Sequence, residues 1–174
     1  MIRCVAQGHE RGYTLIEVLV ALFIISLGLL GMAGLQVTSL KQNQSAYMRS
    51  QATILAYDII DRMRANVSAV ESGNYFVSSG SLTTGCETTS GCTDAEMASH
   101  DIARWQARLA EELPSGSGLI CRDTDTDDST GGNITTPACG TSTDTDLPVV
   151  VYVWWNDERA SDAVSTRLAV SFSL

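Results

Sequence analysis

The sequence is poor in positive charge and in histidine. Its 174 residues include one lysine, Lys41, and the formal net charge is −9. An acidic chain is repelled by phosphate backbones, which argues against DNA or RNA as the main partner. His100, one of two histidines, falls on the polar side of a predicted helix without a serine, cysteine or carboxylate constellation, and no glycine-rich phosphate loop is present. These absences argue against an enzyme, and we expect no cofactor.

Five cysteines divide unevenly along the chain: Cys4 comes early, and Cys86, Cys92, Cys121 and Cys139 lie in a lysine-free segment rich in Ser, Thr, Gly and Asp. An even set of cysteines in such a segment favours an oxidising compartment outside the cytoplasm. Four cysteines allow three pairings. We expect the two sequence-local disulfides, Cys86–Cys92 and Cys121–Cys139, each closing a small loop worth roughly 2–3 kcal/mol by loop entropy. The alternatives are buried reduced thiols or, against the spacing, a zinc site.

A long apolar run covers residues 15–35 and contains one charged residue, Glu17. Twenty-one helical residues span roughly 30 Å, which is the hydrocarbon thickness of a bilayer. A carboxylate inside that layer costs about 2.5–3.5 kcal/mol on insertion scales, so such a residue usually has a partner. From length and composition alone, the run is an uncleaved single-pass anchor, since no small-residue signal-peptidase site follows it.

The residues around the start of this run, RGYTLIEV, resemble the prepilin processing motif of type IV pilins and type II secretion pseudopilins. The resemblance implies that prepilin peptidase cuts between Gly12 and Tyr13 on the cytoplasmic face and N-methylates Tyr13. Glu17 then matches the family's glutamate, fifth in the mature chain. The resemblance implies that Glu17 neutralises the Tyr13 amine of a neighbouring subunit and so sets subunit register, and the physical reason is that a buried amine and a buried carboxylate are each costly alone.

The remaining pattern predicts an α+β, type IV pilin-like fold. We divide the chain into a cleaved leader (1–12), a membrane or filament-core half of a long helix (13–35), an amphipathic half (36–70) and a globular head (71–174). A helical apolar spacing continues to about Val67 and breaks at Gly73. A second helix follows a Thr93/Glu96 capping box, with an apolar face listed as Ile102, Trp105, Leu109 and Leu113. The segments SGSGLICR, LPVVVYVWWND and AVSTRLAVSFSL predict an antiparallel sheet.

Finer resemblance points to the PilV branch, the type IV pilus modification proteins. It rests on SLGLLGMAGLQ after the motif and on DIARWQARLAEELPSGSG and VYVWW in the head. This implies a minor pilin that primes assembly at the filament tip with other minor pilins and the major pilin. The protein would sit in inner-membrane lipid, head in the periplasm, before it enters the pilus. The alternatives are a GspI-like minor pseudopilin of type II secretion and a permanently anchored adhesin or sensor.

An aspartate-rich segment after Cys121 places Asp123, Asp125 and Asp127 at alternate positions, as in a calcium loop. The rest of that pattern fails, because Asp128 stands where glycine is needed and Ile134 where the bidentate glutamate belongs. We therefore interpret the segment as a solvated acidic loop, with calcium as the alternative.

Overall fold

The computed structural model describes residues 14–123, 139, 147–157 and 166–173. The first element is a long helix, α1 (Leu15–Ala65), followed by a short helix, α2 (Val67–Glu71). The chain separates into two compact units, residues 1–44 and 45–174. In the first unit, every described side chain is exposed.

The second unit buries one face of the C-terminal part of α1. Its buried residues recur at intervals of three and four, as an amphipathic helix requires: Met48, Ala52, Leu55, Ala56, Ile59, Ile60 and Met63. The chain turns after α2 at Gly73, which has φ 77° and so adopts a conformation that suits glycine. The predicted helical face and the predicted break at Gly73 are both confirmed.

Helix α3 (Asp94–Glu112) packs into the same core. It begins at Thr93, whose hydroxyl accepts from the Glu96 amide while the Glu96 carboxylate accepts from the Thr93 amide and hydroxyl. The hydrogen bond from the Thr93 amide, and to a smaller extent the one from the Thr93 hydroxyl, lower the pKa of the Glu96 carboxyl. The predicted capping box is therefore confirmed. The indole Nε1 of Trp105 donates to the Leu55 carbonyl at 2.9 Å, which ties α3 to α1.

In the described part of the chain, three antiparallel strands form the sheet in the order β1 (Ser117–Arg122), β2 (Val149–Trp155) and β3 (Thr166–Phe172). Every residue of β2 is buried, because its two faces belong to two clusters. Alternate residues from Val149 to Trp155 join the core with α1 and α3, and the residues between them join a second cluster with Cys121. Strand β3 alternates between half-buried and exposed residues from Leu168 to Phe172. The α+β fold and the three predicted strands are confirmed.

Candidate functional site

The apolar part of α1 is the first candidate site. Among the described residues, α1 is the single helix long and apolar enough to cross a membrane, and its apolar window contributes nothing to the core. Exposed side chains such as Leu15, Phe23 and Leu30 surround the helix on all sides. A helix that is apolar all round requires either lipid or other protein around it.

Glu17 lies in the first turn of this helix, where its backbone amide donates to the Thr14 carbonyl at 3.0 Å. A negative side chain is favourable there because the helix N-terminus carries partial positive charge. The Glu17 side chain borders a shallow groove lined by Val18, Ala21, Leu22 and Ile25. No ion pair to Glu17 occurs within the described part of the chain. Its carboxylate is therefore available to a partner.

The proposed cleavage residues Gly12 and Tyr13 lie outside the described residues, as do Cys4, Asp125 and Asp127. Asp123 is described. It is buried, accepts a hydrogen bond from the Tyr152 hydroxyl at 2.9 Å and donates its own amide to the Pro148 carbonyl. Its carboxylate thus has a structural contact inside the head. Within the described ranges no group of three or more potential metal-binding side chains occurs.

An ionic network joins α1 to α3. The Asp101 carboxylate accepts from Arg62 Nη1 at 2.9 Å and from the Tyr75 hydroxyl at 2.8 Å, while Asp58 pairs with both Arg62 and Arg108. Burial, and then the hydrogen bond to Asp101, raise the pKa of Tyr75. For Arg62, burial acts to lower the pKa, but the hydrogen bonds and charges of Asp101 and Asp58 outweigh it and the pKa rises. The network fixes the relative position of these two helices.

Residues 78–83 form an irregular segment that lies against α3, which we call the strap. Gln106 Nε2 donates to the Ser78 carbonyl at 2.9 Å, and the Ser81 amide donates to the Ser99 hydroxyl at 2.9 Å. Between them Gly80 approaches the helix so closely that a Cβ there would lie 2.0 Å from the Ser99 carbonyl oxygen. Only glycine can occupy that position without displacing the strap.

His100 receives the end of the strap. The Thr83 amide donates to His100 Nδ1 at 3.1 Å, and His100 Nε2 lies 3.3 Å from Glu87 Oε1. His100 lies away from the apolar face of α3 and contacts polar groups, but it is 5% exposed, and the Glu87 carboxylate beside it was not expected from the sequence. The apolar periodicity of the sequence indicates the one face of α3 that is buried against α1. The strap buries a second face, which has no such pattern.

Two disulfides are present in the head. Cys86–Cys92 closes a short loop that begins within a 3₁₀ turn, Thr84–Glu87. Glu87 in this turn forms an ion pair with Arg104 of α3, so the loop is attached to the same helix as the strap. Cys121–Cys139 joins the end of β1 to a residue that makes a β-bridge with Asp123.

Comparison with known families adds two findings. The family described as Type IV pilin Tt1218 matches residues 34–103, and the prokaryotic N-terminal methylation motif matches residues 8–33. The second match includes Gly12, Tyr13 and Glu17, and the first includes the strap and the start of α3. No curated protein and no solved structure matches the chain.

Proposed function

We propose that this chain is a minor pilin of the PilV type. It carries a type IV pilin region and a prepilin methylation motif and is therefore a structural component of a pilus or pseudopilus. The motif implies processing by prepilin peptidase and assembly with other pilins. The apolar helix beside it implies membrane anchoring and incorporation into a filament. A permanently anchored adhesin or sensor lacks this support.

The observation that carries the proposal is the exposed apolar half of α1 with its single carboxylate. Its apolar side chains are all exposed in the described part of the chain, so lipid surrounds them before assembly and neighbouring subunits afterwards. Transfer from lipid to protein replaces one apolar environment by another and supplies little hydrophobic driving force. A specific polar contact is therefore needed to select the correct neighbour.

Glu17 supplies that contact in our proposal. Cleavage after Gly12 would create an amine at Tyr13, and the carboxylate of a neighbour's Glu17 would neutralise it. An unpaired charge in the hydrocarbon layer costs up to about 2.5–3.5 kcal/mol on insertion scales, the value at the membrane centre, so a correctly staggered neighbour removes a penalty that a misaligned one leaves. The groove beside Glu17 includes the small side chain of Ala21 in its lining, which favours close packing of an adjacent helix.

The assignment to the PilV branch rests on the segment SLGLLGMAGLQ in the apolar helix and on two segments of the head. The head segments lie in α3, the start of β1 and β2, and their residues Trp105 and Trp155 are among the largest fully buried side chains. The resemblance therefore covers residues that build the core as well as the apolar helix. In this role the protein would be present in few copies and would prime assembly at the filament tip together with other minor pilins.

A minor pseudopilin of the GspI type is the second candidate, since the processing motif and the apolar helix with Glu17 serve either filament. Deletion of the gene separates the two. Loss of surface pili with normal enzyme secretion supports the pilin, whereas loss of secreted enzymes with normal pili supports the pseudopilin.

Replacement of Glu17 tests the assembly role. In the deletion strain, Glu17→Ala should give stable, processed protein in the inner membrane with little in sheared filaments, because the mature amine then lacks its carboxylate. Val18→Ala is the matched control: it changes the same groove without removing charge and should assemble nearly normally. Normal entry of Glu17→Ala into filaments would show that charge pairing is the wrong explanation.

A further inference from the structure

The hydrogen bond between Thr83 and His100 determines where the ring carries its proton. Because Nδ1 accepts from the Thr83 amide, this nitrogen has no hydrogen. The neutral ring must then carry its proton on Nε2, which faces Glu87 Oε1 at 3.3 Å. The His100 side chain is 7% exposed while the strap is in place.

Among the described residues, one charged group faces the ring and a second contacts that group. Glu87 comes from the 3₁₀ turn of the disulfide loop, and Arg104, one turn along α3, contacts the same Glu87 oxygen. Asp101 follows His100 in the chain but pairs with Arg62 and the Tyr75 hydroxyl. Within the described ranges no ion pair joins His100 to α1, α2 or the sheet.

We propose that His100 holds the strap on α3 in a pH-dependent way: the neutral ring accepts a hydrogen bond from the Thr83 amide, and protonation of Nδ1 breaks this bond. The added hydrogen would turn the acceptor into a donor that faces another donor, so this hydrogen bond cannot persist. Imidazole is the side chain whose charge ordinarily changes between pH 5 and 8. This inference does not depend on the proposed function.

The release should be local. The protonated ring still has its Nε2–H beside Glu87, so the disulfide loop keeps its attachment to α3. The Ser81 amide also keeps its bond, because its acceptor is the Ser99 hydroxyl, which does not titrate in this range. The Ser81 amide therefore serves as an internal reference, two residues from the Thr83 amide, whose hydrogen bond depends on pH.

Amide hydrogen exchange of the full chain in detergent micelles, resolved by NMR, tests the proposal. Protection factors, corrected for the intrinsic pH dependence of exchange, are compared between about pH 8 and pH 5, the range over which imidazole titrates. We expect protection of the Thr83 amide to fall about tenfold relative to that of Ser81, as loss of one hydrogen bond would produce. A constant ratio of the two protection factors over this range would overturn the proposal.

Two further measurements keep the test independent of any single variant. Ring nitrogen chemical shifts of the unmodified protein at high pH should show the proton on Nε2; a proton on Nδ1 would refute the mechanism. His100→Gln provides an amide oxygen that can accept from Thr83 at any pH. This variant should retain Thr83 protection without the pH dependence, and the same pH dependence in His100→Gln would assign it to another group.

Discussion

Replacing Asp101 with alanine should strongly destabilise the head. The Asp101 side chain is 7% exposed and accepts from Arg62 and Tyr75. Its removal leaves the buried Tyr75 hydroxyl without its acceptor, which costs about 1–3 kcal/mol. The Arg62 side chain is 35% exposed and still pairs with Asp58, so losing its ion pair with Asp101 costs less than about 1 kcal/mol of stability. The total of about 1–4 kcal/mol corresponds to a fall in Tm of roughly 4–15 °C for a unit of this size.

Thermal unfolding of the full chain in detergent micelles, followed by near-UV circular dichroism, measures this effect, because the signal comes from packed aromatic side chains in the head. Asp61→Ala is the matched control. That aspartate is 73% exposed and pairs with Arg64 at 3.4 Å, so its removal should change Tm very little. If Asp101→Ala and Asp61→Ala unfold within about 2 °C of each other, the network does not stabilise the head as argued.

Three other outcomes are expected. Gly12→Asp should leave a longer, uncleaved protein in the membrane, since family peptidases need a small residue at the cut; mature-length protein on mass spectrometry would contradict the cleavage site. Non-reducing peptide mapping should recover the two sequence-local disulfides, and a peptide joining Cys86 to Cys139 would contradict them. Because burial and the Asp101 hydrogen bond raise the Tyr75 pKa above 10.0, the unfolded state releases its proton first, and stability should fall as pH rises above about 10. Urea unfolding should show a smaller loss in Tyr75→Phe, and an equal loss would assign the effect to other groups.

Periodic elements of the head were predictable from the sequence because their signals are local. The apolar spacing of α3 and the Thr93/Glu96 pair mark a helix and its beginning within a few residues. The β-branched and aromatic run of β2 likewise marks a buried strand. Each depends on neighbours along the chain, which a single sequence displays directly.

Contacts between distant segments were not predictable in this way. Arg62 and Asp101 are 39 residues apart, and no local pattern identifies them as partners. The strap has neither helical nor strand periodicity, so the sequence does not predict that it covers His100. Gly80 and the serines beside it read as an ordinary loop, and only the structure shows that their backbone lies against α3. Gly12 and Tyr13 depend on recognition by a peptidase and remain predictions.

The close approach of Gly80 to α3 also constrains how this protein can vary in evolution. A shift of the strap by one residue would place Ser79 or Ser81 opposite the Ser99 carbonyl, where a Cβ would lie 2.0 Å from the oxygen. Insertions or deletions between Tyr75 and Cys86 are therefore tolerated only if a glycine again comes to lie at that point. We expect homologues of different length to retain this glycine opposite α3, while the flanking serines and threonines change freely.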